Sequence, residues 1–227
     1  MISLTPRLHK VASLVPKNSI LADVGTDHAY VPVYCIQNGI CQRAIAMDIN
    51  EGPIKNAWET VSKNGVCDKV ELRLSDGLKE LAFGEADAVV IAGMGGLLIQ
   101  KILEDTPLKE GTLLILQPML AAKELRKYLF SKSMAIEDEY LAMEGKKIYN
   151  IIVARVGRVD TFLAEDILIG RNVFRNSPEL FSYYRAKEIG VRGKILNGLL
   201  NAGKKDKEAI DTVSLELAVW EGANYED

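Results

Sequence analysis

The chain is short of the features that mark several common classes of protein. Its three cysteines, Cys35, Cys41 and Cys67, are odd in number and form no C-x-x-C pair. That argues against a zinc site or disulfide framework and fits a reducing, cytoplasmic compartment. No apolar run reaches the ~18–20 residues that a membrane helix needs, because Lys, Glu or Asp interrupts every candidate. The opening MISLTPRLHK has no apolar core followed by a small-residue cleavage site, so no secretory leader is expected. There is no G-x-G-x-x-G phosphate cradle and no D/N-P-P-Y/F sequence of the kind that grips an exocyclic amine. What is present is a chain of 227 residues, 48% hydrophobic and 26% charged, which is enough for a real core. Its formal net charge of −3 speaks, at first sight, against a nucleic-acid partner.

From residue 19 to 156, apolar runs alternate with amphipathic stretches. Strands are expected at 19–24, 43–48, 70–74, 86–92 and 112–117, each rich in Val, Ile, Leu and Ala and bounded by Gly, Asp or Pro. Helical periodicity marks 51–64, 76–81, 94–104 and 120–132, and Thr5 is expected to cap a short helix that Pro16 ends. Alternation at these lengths implies right-handed crossovers and a parallel sheet. Residues 136–143 and 148–156 are separated only by a short turn containing Gly145 and read as a β-hairpin. The expected fold is therefore α/β: a Rossmann-like class I methyltransferase sheet of five parallel strands plus a C-terminal hairpin. Strand signals then fade. A helix from Pro178 to about residue 202, with Phe181, Tyr184, Val191, Ile195 and Leu199 on one stripe, precedes one with Ile210, Val213, Leu217 and Trp220 at seam spacing. The expected division is a methyltransferase-like domain, 1–157, and a coiled-coil-like helical appendage, 158–227. Two helices folded back onto the sheet are the alternative.

The strongest local signal is Asp23-Val24-Gly25-Thr26-Asp27 at the end of the first strand. In doubly wound sheets this carboxyl end is where nucleotides bind. One glycine and two carboxylates would repel a pyrophosphate but suit S-adenosylmethionine, whose amino and sulfonium groups are positive. Asp48 ends the second strand, 25 residues after Asp23, where an acid reaches ribose hydroxyls. Asp76 and Gly77, after the third strand, can frame an adenine edge. Each acid alone could equally cap a helix, but three at successive strand ends point to an adenosine-bearing cofactor without pyrophosphate. Ala92-Gly93-Met94-Gly95-Gly96 follows the fourth strand, where glycines let backbone approach a planar group, or simply let a helix pack tightly. Without an amine-gripping side chain, a ring nitrogen with a ready lone pair is the better nucleophile. Asp27 is the candidate base. His28 and Tyr30 follow it on the same rim, Tyr30 as a surface for a flipped base, and Arg7 could meet a phosphate or the cofactor carboxylate. All three also have ordinary structural readings.

The runs LTPRLHKVASLV, DVGTDHAYVP, AMDINEGPIKNA, SDGL, IAGMGG and LILQP together resemble, over about the first 155 residues, the bacterial tRNA (adenine-22-N1)-methyltransferases, the TrmK family. DVGTDHAY and IAGMGG are the specific elements, and the C-terminal helical pair resembles that family's appendage more weakly. One departure is Met119, where the family pattern calls for an amide-bearing residue. The resemblance implies methyl transfer from S-adenosylmethionine to N1 of an adenosine in the D-loop region of tRNA. The expected cofactor contacts are Asp23, Gly25, Thr26, Asp48, Ile49, Asp76, Gly77, Ala92, Gly93 and Met94, with no metal. The expected substrate contacts are Arg7, His28, Tyr30, Gly95, Gly96 and Gln117, and Asp27 is the catalytic residue. A class I enzyme acting on another RNA, a protein or a small molecule would share every cofactor feature. A noncatalytic RNA-binding protein and a Rossmann-type oxidoreductase are more distant alternatives. A monomer is the expected state.

Charge read by region changes the first impression. Residues 171–207 carry a net +6, and residues 208–227 a net −6. Cancellation hides a basic helix whose Arg185, Lys187 and Arg192 are expected to meet tRNA phosphates. The alternative is that the acidic last helix neutralises its basic partner.

Overall fold

Runs of Val, Ile, Leu and Ala with no polar face must be covered on both sides, and that demand organises the fold. The computed structural model describes residues 2–159, 161–203 and 205–223. Lys204 of the basic run, and Glu226 and Asp227 of the acidic one, lie outside the described residues. In chain order the elements are α1 (Pro6–Ser13), β1 (Ser19–Val24), α2 (Tyr30–Gln37), β2 (Cys41–Asp48), α3 (Glu51–Lys63), β3 (Val70–Leu74), β4 (Ala88–Met94), α4 (Gly96–Asp105) and β5 (Leu113–Pro118). There follow α5 (Ala122–Ser131), β6 (Met134–Glu144), β7 (Lys147–Val156), α6 (Ala164–Leu168), α7 (Val173–Asn176), α8 (Pro178–Leu200) and α9 (Lys207–Gly222). The seven strands form one sheet in the order β3-β2-β1-β4-β5-β7-β6, parallel through β5, with β7 antiparallel to β5 and to β6. One face packs on α1, α2 and α3 through Val11, Leu21, Val33, Ala57 and Val61. The other packs on α4 and α5 through Ile45, Met47, Ile99, Leu125 and Leu129. The strand order reverses direction between β1 and β4, which opens a crevice at their carboxyl ends.

Three local expectations need correcting. Residues 76–81 make turns rather than a helix, with Gly77 at φ +64 and only Leu78 and Leu81 turned inward. Helix α2 was not among the expected helices. Five of its eight residues are buried, so it has no polar face to give a period, and Pro32 is tolerated in the first turn because the N–H it lacks would have no intrahelical acceptor there. Thr5 precedes α1, but its hydroxyl donates to Glu144 Oε2 (3.1 Å) instead of capping the helix.

The two readings of the C-terminal helices each describe half of the pair. Near its root, Phe181, Tyr184 and Trp220 join Leu141, Ile148, Leu168, Ile169 and Val173 in a third apolar cluster against the β6–β7 hairpin. Farther out, α8 and α9 pack along each other, and Val191 and Ile195 of the expected stripe are 43% and 47% exposed. The root is pinned by a buried ion pair. Arg126 of α5 and Glu139 of β6 have side chains 1% and 0% exposed. The Arg126 Nε donates to both carboxylate oxygens (2.9 and 3.0 Å), Nη2 donates to Oε2 (2.9 Å), and Nη1 donates to the Ile167 carbonyl (3.2 Å). Glu139 also accepts from the Arg171 backbone N–H (3.1 Å).

Removing one partner of a buried pair strands the other charge, whereas removing both does not. Arg126→Met or Glu139→Leu should each lower unfolding free energy by about 3–5 kcal/mol, and the double variant should recover most of it. Guanidinium melts check this; single variants within about 1 kcal/mol of the parent would refute the pair's structural role.

Candidate active site

The crevice between β1 and β4 holds a cleft of about 370 Å³. It is lined by Arg7, Leu8, Asp23, Gly25, Thr26, Asp27, His28, Tyr30, Val31, Ala92 and Gly93. Nine of the residues expected from the sequence therefore meet in one place; Leu8 and Val31 had no signal beyond being apolar.

The turn after β1 is held to β2, since the Gly25 and Thr26 N–H groups donate to the Met47 carbonyl (2.8 and 3.0 Å). Gly25 has φ +70, and a Cβ there would lie 2.1 Å from Met94 Cε. Its smallness thus lets the β4 methionine cross the turn. Asp23 is buried and accepts a 2.6 Å hydrogen bond from the Thr26 hydroxyl. Burial pushes its carboxyl up to about 6; Thr26 opposes that shift, and the charge of Asp48 adds to it. Beyond Thr26, Asp27 and Ala29 both adopt left-handed backbone, at φ +50 and +54. This conformation costs roughly 1–2 kcal/mol for a residue with a Cβ. It turns Asp27 and His28 out onto the rim, where their side chains are 64% and 39% exposed. His28 Nε2 lies 3.6 Å from Asp27 Oδ2, and the His28 ring stacks on Tyr30 with centroids 5.0 Å apart.

Asp48 ends β2, Ile49 follows it, and Asp76 and Gly77 follow β3 on the same edge of the sheet, but none of the four lines this cleft. Asp48 accepts from the Asn50 N–H (3.0 Å), and Ile49 is 58% exposed. Asp76 faces solvent and pairs with Lys79, which holds its carboxyl below the usual range. Gly77 packs over Ile102, 3.1 Å from where a Cβ would stand.

Gln117 was expected to touch substrate, and the structure turns it inward. It is fully buried; its Oε1 accepts from Arg7 Nη1 (2.6 Å) and the Gly93 N–H (3.1 Å), and its Nε2 donates to the Pro118 carbonyl (3.1 Å). It positions Arg7 and the β4 turn instead of offering polar atoms to a ligand. Arg7 also donates through Nε to Glu144 (3.1 Å) and lies over the Tyr149 ring. Gly93, at φ +82, is open to the cleft, whereas Gly96 is buried with the Ala121 carbonyl 2.4 Å from a notional Cβ. Gly96 therefore serves the tight-packing alternative, and its N–H donates to the Leu120 carbonyl (2.9 Å). Gly95 precedes α4 beneath Leu120, and Met119 donates its N–H to the Met94 carbonyl (2.8 Å).

The basic helix also needs revision. Arg185 donates to the Trp220 and Glu221 carbonyls (2.8 and 2.5 Å), satisfying the end of α9. Arg192 pairs with Glu188 (2.6 Å) and Glu216 (3.1 Å) and covers the Trp220 ring. Neutralisation by the acidic helix describes Arg192, through Glu216, whereas Arg185 is held by neutral main-chain carbonyls of α9. Lys187 is exposed and has no ion pair among the described residues. Tyr149 and Glu144, which fix Arg7 from the hairpin, went unrecognised because no local spacing links residue 7 to residues 144 and 149.

The donor set suits a cationic, adenosine-bearing cofactor. Carboxylates stand at the ends of β1 and β2, Gly93 leaves room for close backbone approach, and the turn after β1 has no glycine-rich phosphate loop. Among the described residues no cluster of His, Cys, Asp and Glu could hold a metal ion.

Comparisons with known proteins agree with this geometry. A family model described as "Methyltransferase domain" matches residues 4–152. The tRNA (adenine(22)-N(1))-methyltransferase of Bacillus subtilis is 40% identical over 161 residues, which cover 70% of this chain and 68% of that protein. The crystal structure of the B. subtilis M1A22 tRNA methyltransferase TrmK superposes with TM-score 0.85 at 31% identity, covering 97% of this chain and 98% of that one. The structure of M. capricolum TrmK in complex with S-adenosyl-homocysteine superposes with TM-score 0.83 at 28% identity, covering 96% of each chain.

Asp23 makes the cleft sensitive to pH. Its folded pKa of about 6 lies above the ordinary value of 3.8. The native state therefore holds the proton more tightly than the unfolded chain does. The resulting stability is complete below pH 3.8 and is lost as pH rises through about 6. Asp23→Asn should then raise stability at pH 7.5 by up to about 3 kcal/mol. The gain should vanish near pH 4, while affinity for a cationic cofactor falls. Denaturant melts at the two pH values check this, and equal gains at both would refute it.

Proposed function

The chain belongs to the tRNA (adenine(22)-N1)-methyltransferase family, and from that membership we propose how its own residues perform the reaction. The enzyme methylates N1 of adenosine in tRNA, at position 22, using S-adenosylmethionine. The observation that carries the residue assignment is the meeting of Asp23, Gly25, Asp27, Tyr30 and Gly93 in one cleft at the switch point of the sheet.

When bound, S-adenosylmethionine supplies an electrophilic methyl group. Asp23, with Gly25, Thr26, Ala92, Gly93 and Met94, holds its cationic end, and Asp48 with Ile49, then Asp76 with Gly77, the adenosine end. The target adenosine leaves its stack to enter the site, and the stacked His28–Tyr30 pair on the rim offers it a flat surface. N1 of adenine carries its lone pair in the neutral base, so no residue has to deprotonate it before attack. After methylation the ring is cationic, and Asp27 stabilises that charge and accepts the N6 proton. Arg7, fixed by Gln117 and Glu144, closes the cleft from α1, and Gly95 lies beside the incoming base. Lys187 meets the RNA backbone.

The change from sheet to helices after Val156 supports a catalytic unit of 1–157 and a helical appendage of 158–227. No described helix is long and apolar enough to cross a membrane; cytoplasmic residence is the reading that a tRNA substrate favours.

Incubating the protein with the cofactor and unmodified tRNA, then mapping the modified nucleotide, tests the activity. Asp27→Ala should lower the single-turnover rate by on the order of 10²-fold with cofactor affinity unchanged. A near-parental rate would remove Asp27 from the chemistry and leave the cofactor site standing.

A further inference from the structure

A second polar cleft, of about 430 Å³, lies between the catalytic sheet and the helical pair. The loop after β5, the first turn of α5, Tyr149 and Asn150 of β7, and the facing sides of α8 and α9 form its walls. Its cations are Lys123, Lys187 and Arg192, with Arg126 at the buried floor. One carboxylate organises two of them: Glu216 Oε1 accepts from Lys123 Nζ, and Oε2 accepts from Arg192 Nε (3.1 Å). Lys123 belongs to the catalytic sheet's own helix, Arg192 to α8 and Glu216 to α9, so this contact joins three elements.

We propose that this cleft binds the backbone of the substrate RNA, and that Glu216 occupies a phosphate's place in the free protein. The proposal rests on the tRNA reading above. A phosphodiester carries one negative charge on two free oxygens, as a carboxylate does, and can bridge the same two cations. Lys123, Glu216 and Arg192 are 30%, 19% and 12% exposed, so water and ions already reach the pair. One anion can therefore exchange for another there, and release of counterions from the RNA favours binding. When Glu216 leaves, Arg192 keeps Glu188, and the Arg126–Glu139 pair still anchors the appendage. Only a side chain on α9 has to move. Unpaired Lys187 stands on the same wall, which also carries the acids Glu124 and Glu188.

The location fits a backbone contact beside the reacting nucleotide. Met119 and Leu120 line this cleft while bonding, through main chain, to Met94 and Gly96 at the edge of the first. RNA with a base in the catalytic cleft thus has its flanking backbone at the mouth of the second.

The test uses the full chain, an unmodified tRNA transcript and three variants: Glu216→Gln, Lys123→Gln and the double. Affinity is measured across a salt series, with cofactor affinity and melting temperature in parallel. Glu216→Gln should bind tRNA roughly threefold or more tighter, because a competing carboxylate is removed and Lys123 is freed. Lys123→Gln should bind more weakly, with a salt slope reduced by about one, and the double variant should behave like Lys123→Gln. Cofactor affinity should stay unchanged in all three. A Glu216→Gln protein that melts like the parent yet binds tRNA no better overturns the proposal. If Glu216→Gln melts early, a parental salt slope in Lys123→Gln overturns it instead. Parent protein that binds cofactor but neither binds nor methylates the transcript overturns the tRNA reading and this proposal with it. Normal methylation with unmoved variant affinities overturns this proposal alone.

Discussion

The active-site geometry depends on one buried carboxamide. Gln117 ends β5 with no exposure to solvent, and its oxygen receives Arg7 from α1 and the Gly93 N–H from the end of β4. A buried amide oxygen left without donors is costly, so the contacts that satisfy Gln117 also fix the N-terminal helix over the cleft and set the height of the Gly93 turn. That turn is where the β4–β5 register slips between Ala92 and Met94. The slip leaves Gly93 out of the ladder, free to take φ +82 and face the cleft. Arg7 then reaches Glu144 and Tyr149, so the β6–β7 hairpin becomes part of the site's frame.

A second joint, Arg126–Glu139, does for the appendage what Gln117 does for the cleft. Its guanidinium satisfies carbonyls of the segment leaving α6, and its carboxylate takes the Arg171 N–H. The irregular chain between the sheet and α8 is thereby tied to α5 and β6. The root of the helical pair consequently sits in an apolar cluster around Trp220, while towards the tip α8 and α9 pack along each other. This gradient explains why stripe residues such as Val191 remain exposed although their spacing is helical.

Much of this was legible in the sequence, for physical reasons. Buried parallel strands have a strong signature, so β1 and β3 have the expected limits and the other strands moved by a few residues. Acids and glycines at strand ends are short-range features tied to the turn itself, so Asp23, Gly25, Asp27 and Gly93 could be found without coordinates. Failures came where the partner is distant or periodicity is absent. Helix α2 is apolar all round and has no moment to read. Gln117, Gly96 and Arg185 have the right chemistry for ligand contacts, but groups far away in sequence had already claimed them. No spacing rule couples Lys123 to Glu216.

The same distinction accounts for the plainness of the catalytic inventory. A nucleophile that is already a free lone pair asks little of acid–base chemistry, and most of the achievable acceleration lies in orientation. A protein with that task should invest in rigid placement instead of reactive side chains. Two left-handed non-glycine residues in Asp27-His28-Ala29, a turn crossed by Met94 and an arginine clamped on two sides are features of that kind. Asp27 is the exposed exception, and its position on the rim is consistent with charge appearing late, on the product ring. The net charge of −3 follows the same economy, because acids serve the cofactor cleft and neutralise α8. What matters for RNA is which of those acids can step aside, and Glu216, shared by two cations at the seam between the units, is placed to do so.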